Sequence, residues 1–178
     1  SLETATLCKQ YYKSSVDEII HLAVDQDLYY PRTHNSDKVI LTATDNKGHK
    51  GNTTTINKVK ELLPKDYKVI NISCDVGKEH NVFKRAGMFM LLSTHEGFAY
   101  SVLEALCSNA KVLTGKHGIA YELQYTGIIE TINDGDMNDA KFIVNKLIDM
   151  YSKEYNSRDW VLNSCSLKMF NDGWQNLI

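Results

Sequence analysis

Two carboxylates, Glu96 and Glu104, stand with seven residues between them in Ser93-Thr-His-Glu-Gly-Phe-Ala-Tyr-Ser-Val-Leu-Glu104, directly after the apolar run Met88-Phe-Met-Leu-Leu92. The apolar run reads as a buried strand, and the loop leaves its carboxyl end. In open parallel sheets that is where ligands bind. The helix that follows offers unpaired N–H groups and a positive dipole end, which suit an anion and phosphate above all. Gly97 lets a ligand approach the backbone closely. Glu104 lies about one and a half turns into the helix, so both acids can reach the same rim. Amides would hold phosphate while carboxylates accept from hydroxyls, which sugars and riboses carry in vicinal pairs. The chemistry points to a nucleotide-sugar. The plain alternative is that acids near a helix start only complement its dipole.

Weaker candidates lie elsewhere. Lys47-Gly-His-Lys-Gly51 resembles a phosphate-binding turn without Walker A spacing, and a solvated basic loop explains it equally. Lys47, Lys50 and Gly51 are its candidate ligand contacts. His95 precedes Glu96, and His117 stands beside Gly118 on another carboxyl-end loop. The acids between Asp134 and Asp139 are better read as helix capping than as a metal site. The cysteines, Cys8, Cys74, Cys107 and Cys165, show no Cys-x-x-Cys and no ligand spacing. They read as reduced structural thiols in a cytosolic setting.

The elements that must position these residues alternate. Strands are expected at 18–23, 38–44, 67–73, 88–92, 111–115 and 127–132. Helices are expected at 2–12, 53–63, 78–86, 99–108 and 138–151, with a turn or short helix at 118–123 and one final helix from Ser157. Thr53 or Thr54 would cap the second helix, and Pro64 would end it. Its apolar face would hold Ile56, Val59, Leu62 and Leu63. The helix at 138–151 would bury Phe142, Ile143, Leu147, Ile148 and Tyr151. Most of the strands are apolar without alternation, as expected when helices cover both faces. The fold class is therefore α/β, a doubly wound Rossmann-like parallel sheet flanked by helices. Residues 1–156 would form it, with 157–178 as a helical segment packing on it or toward another domain.

The 178 residues suit one domain. With 20 basic and 22 acidic residues, no strongly basic face is implied and nucleic acid is not an expected partner. No apolar run approaches the ~20 residues of a membrane helix, and no secretory signal is read. The expected location is cytoplasmic, or at the inner face of a membrane.

The stretch STHEGFAYSVLEALCSNAKVLTGKHGIAYEL resembles the donor-binding half of retaining GT-B glycosyltransferases, in particular family 4, glycosyltransferases group 1. That family carries Glu-Gly-Phe-Gly, a second Glu after seven residues, a strand, and Gly-Gly-x-x-Glu. Ser93, Glu96-Gly97-Phe98, Glu104-Ala105-Leu106, Val112, Gly118 and Glu122 fall in register. Weaker echoes are Val24-Asp25 with Pro31, and the strand and Lys-Gly of the first loop. The resemblance assigns the donor sugar to Glu96 and the ribose to Glu104. It assigns backbone contacts to Phe98 and Ala99, and the diphosphate to Lys50.

The resemblance implies one half of a GT-B fold. It implies transfer of a hexosyl group from a nucleotide-diphosphate sugar to a hydroxyl acceptor, with retention and with no metal or cofactor. The acceptor, a glycan, lipid or protein, would belong to an N-terminal GT-B domain outside these residues, so the isolated domain is expected to be inactive. Departures from the pattern are Asp45 where the family has arginine, with Lys47 as a stand-in, and Ala99 where it has glycine. Ser108-Asn109-Ala110 replaces Gly-x-Pro, and Asn109 tolerates the left-handed turn needed there. Two rival readings are a non-enzymatic Rossmann-like interaction module or degenerate nucleotide-sugar-binding protein, and an epimerase of the same fold. The epimerases lack the Glu-Gly-Phe pattern.

Overall fold

The computed structural model describes residues 2–13, 16, 19–31, 38–44, 51–72 and 79–176, without the side chains of residues 79 and 80. Its centre is a parallel sheet of β1 (Val39–Ala43), β2 (Lys68–Ile72), β3 (Met88–Leu91), β4 (Lys111–Gly115) and β5 (Glu130–Ile132), in the order β2-β1-β3-β4-β5. Ile40 pairs with Val69 on one side and Met88 on the other. The chain builds outward from β1 to β2, then crosses back to β3. The topological switch therefore falls between β1 and β3, and the crevice beyond their carboxyl ends is where such sheets bind ligands.

Helices are α1 (Leu2–Leu7), α2 (Thr53–Leu62), α3 (Glu79–Phe83), α4 (Tyr100–Cys107), α5 (Ile119–Leu123), α6 (Ala140–Tyr151), α7 (Ser157–Ser164) and α8 (Leu167–Gln175). A π-helical turn, Cys8–Tyr12, extends α1. Strand side chains alternate between faces, and each face has its own core. Leu41, Phe89, Leu91 and Val112 pack with α4, α5 and α7. Ile40, Met88, Met90 and Leu113 pack with α2 and α6. This is the doubly wound arrangement that strands without polar alternation imply.

Several local expectations are corrected. No strand forms at residues 19–23; instead Val24 makes an isolated bridge to Ser166, and its N–H donates to Cys165 O at 2.9 Å. Val24 thus finds its backbone partner at the junction of two helices. Asn52, not a threonine, caps α2 through Oδ1 on the Thr54 N–H at 2.9 Å, in keeping with the stronger capping preference of Asn. Leu63 turns extended before Pro64, as pre-proline sterics require. Leu62 is exposed, because the buried face runs through Ile56, Val59 and Leu63. In α6 the buried stripe is Ala140, Ile143, Val144, Leu147 and Met150, which leaves Ile148 and Tyr151 exposed.

The C-terminal segment is two helices. They break at Cys165–Ser166, where Ser166 caps α8 by accepting from the Met169 N–H at 3.3 Å. Val161 and Cys165 are fully buried in the core, Trp160 packs against it, and Trp174 is exposed. Arg158 of α7 donates to Tyr29 O at 2.7 Å, to Gln26 O at 3.1 Å and to Cys107 O. One guanidinium thereby ties the segment before β1 to the last turn of α4. Burial pushes the Cys107 thiol up to about 11 and the Cys165 thiol up to about 12, so both stay protonated and unreactive. Cys74 lies outside the described residues.

Candidate functional site

Two carboxyl-end loops form the rim, and backbone holds them together. The first runs from Ser93 to Ala99, between β3 and α4. Ser93 is buried, and its hydroxyl donates to His95 O at 2.9 Å, closing the start of the loop. Glu96 is half-buried and Gly97 exposed. No atom lies within 4 Å of where a β-carbon on Gly97 would stand. Phe98 and Ala99 are buried in the core. Ala99 precedes α4 at φ 67°, the left-handed conformation in which glycine is at ease and alanine strained. Glu104 is half-buried on α4. Beyond α4, Asn109 adopts φ 57°, the left-handed turn expected of it.

The second loop, Lys116 to Gly118, leaves β4. Gly118 has φ 61°, and a β-carbon there would lie 2.7 Å from Phe98 C and O and 3.2 Å from Ala99 N. The Ile119 N–H donates to Phe98 O at 2.9 Å. At the end of β4, a β-carbon on Gly115 would lie 2.8 Å from Ser93 O and 2.2 Å from Met137 Cε. The glycines of this loop are thus required for backbone to meet backbone. The His117 ring stacks on His95 at 6.0 Å between centroids and 12° between planes. Its Nε2 lies 3.0 Å from Asp134 Oδ1.

Gly51, at φ 117°, is buried against the end of β3, its β-carbon position 3.3 Å from Leu92 Cβ. Gly51, which leads into α2, is therefore anchored at the switch point. Asp45, Lys47 and Lys50 lie outside the described residues. The structure thus brings Glu96, Gly97, Phe98, Ala99, His117, Gly118 and Gly51 to the carboxyl end of the sheet, with Glu104 on the helix that begins there.

Contacts that local sequence reading missed come from far along the chain. Glu122 Oε2 lies 2.7 Å from His21 Nε2, and its Oε1 accepts the Leu2 N–H at 2.8 Å. Burial pushes its carboxyl up, but the hydrogen bonds from His21 and Leu2 outweigh this and hold it below the ordinary glutamate value. Glu3 Oε2 accepts the Gly118 N–H at 2.6 Å, and its Oε1 lies 3.5 Å from His117 Nδ1. These pairs are separated by 101 to 120 residues, so no spacing in the sequence signals them. Among the described residues no cluster of His, Cys, Asp and Glu could hold a metal ion, and no helix is long and apolar enough to cross a membrane.

No family model matches the sequence, and no curated protein matches it. Solved structures do match. The sucrose-phosphate synthase of Thermosynechococcus elongatus superposes with a TM-score of 0.75 at 15% identity, over 99% of this chain and 56% of that one. Anabaena HepE in complex with UDP gives 0.69 at 15% identity, over 90% and 57%. The C-terminal domain of the group 1 glycosyl transferase LpcC of Francisella tularensis gives 0.59 at 16% identity, over 82% of this chain and all of that one. The chain thus spans a little over half the length of the first two. Its fold is that of one half of a GT-B glycosyltransferase, the half resembling their C-terminal domain.

Proposed function

We propose that these residues form the donor-binding domain of a glycosyltransferase, which transfers a sugar from a nucleotide-diphosphate sugar to a hydroxyl acceptor with retention. The observation that carries this reading is the backbone-knit rim beside the switch point, where the Glu96-Gly97-Phe98 loop meets Gly118 and leads into the helix bearing Glu104. Fold alone would not carry it, because this architecture hosts many activities.

Glu96 orients the donor sugar through its hydroxyls, and Glu104 accepts from the ribose. Phe98 and Ala99 contribute backbone contacts near the sugar and diphosphate. Open space beside Gly97 admits a ligand against the main chain. Lys50, helped by Lys47, supplies positive charge to the leaving diphosphate, and such electrostatic stabilisation is the main catalytic contribution asked of this domain. The reaction needs neither a metal nor a cofactor. The acceptor is bound by an N-terminal domain of the GT-B type, and the complete enzyme works in the cytoplasm or at the inner face of a membrane.

HepE was crystallised with UDP and with UDP-glucose, which makes UDP the first ligand to try, with GDP and ADP beside it. Calorimetric titration of the chain is expected to show binding at up to roughly millimolar strength, worth about 4 kcal/mol or more. The heat should disappear in Glu104→Ala. If none of the nucleotides binds, alone or as a sugar conjugate, the interaction-module reading takes its place.

A further inference from the structure

Residues 2–4 make contacts with three separate parts of the candidate site. The Leu2 N–H donates to Glu122. Glu3 takes the Gly118 N–H and approaches His117. Thr4 Oγ1 donates to Gly97 O at 3.5 Å. Nothing in α1 is buried, so polar contacts, not apolar packing, seat the helix on the rim. Behind it a cleft of about 420 Å³ opens between Leu2, Ala5, Thr6 and Lys9 on the helix side and Val16 and Ile19 opposite. The helix is therefore held at its first turn and loosely packed along the rest.

The Glu3 carboxylate also consumes what an incoming ligand needs. It occupies a backbone donor on the rim, at the residue that touches the Phe98 backbone. Its negative charge would repel a diphosphate brought alongside it. We propose that α1 is an intramolecular plug on the donor site, with the Glu3 carboxylate seated on the Gly118 amide in place of an anionic group of the nucleotide-sugar. This rests on the donor-site reading above. Donor binding and the seated helix are then mutually exclusive, and donor affinity is set partly by how often α1 lifts away.

The test compares the wild-type chain with Glu3→Ala, using UDP titration and amide hydrogen exchange. A plug closed nine-tenths of the time lowers apparent affinity about tenfold, so Glu3→Ala is expected to bind UDP roughly tenfold more tightly. Exchange at the Gly118 amide should accelerate in the variant. The Ile119 amide, bonded to Phe98 O, should keep its protection and report an intact fold. If wild type binds UDP and Glu3→Ala binds it no better, the plug is wrong while the donor site stands. Unchanged exchange at Gly118 likewise overturns it. If exchange accelerates but neither chain binds UDP, GDP or ADP, the donor reading fails and takes the plug with it.

Discussion

The two ends of the sheet are closed by different means. At the amino end side chains reinforce the main-chain bonds from Lys68 N–H to Lys38 O and from Lys111 N–H to Gly87 O, both 2.9 Å. Lys38 pairs with Asp66 and lies over the rings of Tyr67 and Tyr151, at 5.5 and 5.1 Å from their centroids. Lys111 donates to Tyr151 O at 2.6 Å. Charge, ring face and carbonyl satisfy one another there. At the carboxyl end the loops are joined main chain to main chain, through Gly115, Gly118 and the Ile119 N–H. A rim shaped by backbone leaves side chains available for a ligand. A rim shaped by side chains is spent on stability.

The sharpest way to break this comparison is Gly118→Ala. The new methyl would meet Phe98 main chain at 2.7 Å and stand at positive φ. Positive-φ strain of roughly 1–2 kcal/mol and overpacking of about 1–3 kcal/mol together predict a loss of roughly 2–5 kcal/mol. For a chain of this size that is a fall in Tm of about 4–20 °C. A variant melting with the wild type would show that the loops do not depend on this contact.

An intermediate effect is expected from Glu122. Its folded pKa is depressed, so the stability it contributes is present above the ordinary value of 4.5 and is lost as pH falls through the lower folded value. Glu122→Gln should therefore melt lower than wild type at neutral pH, with the gap closing below pH 4.5. A gap constant down to strong acid would mean that His21 and Leu2 do not favour the carboxylate.

Gly97→Ala separates binding from folding within the carboxyl rim. The space is empty, so stability should stay within about 0.5 kcal/mol, while affinity for UDP-glucose falls. Equal loss of stability and binding would make Gly97 a structural residue like Gly118. The smallest effect belongs to the amino end. Lys38→Ala should lower Tm slightly, with the difference shrinking in 1 M salt as screening removes the exposed ion pair, and UDP binding should not change. A loss of binding would erase the distinction between the two ends.

What the sequence made legible follows from the range over which each signal acts. The bounds of β4 and the glycine-bearing turns around it were readable, because strand burial and turn chemistry are local. The Glu-Gly-Phe loop was readable for the same reason. The strand expected at 18–23 does not form over residues 19–23, although they look apolar enough; the neighbouring bridge is that of Val24 to Ser166, which no local pattern announces. Ile148 and Tyr151 were assigned to the buried stripe of α6 because periodicity defines a face more broadly than packing does. The C-terminal segment reads as one amphipathic run until Ser166 is recognised as a cap. In the candidate site, Glu3 and His21 were invisible, since their partners lie more than a hundred residues away.

The bridge between Val24 and the Cys165–Ser166 junction has a consequence for synthesis. Residues 24–29, docked by Arg158, lie early in the chain, but every partner they have in α7 and its junction with α8 is translated near residues 158–166. At about 5–20 residues per second, the ribosome needs on the order of ten seconds to make the intervening chain. Throughout that interval the sheet can assemble strand by strand, while the segment leading into it holds its contacts with Phe83 and Cys107 but lacks those from α7. Until α7 is made, Val24 through Tyr29 offers a chaperone or protease a segment without its Arg158 and Cys165 partners.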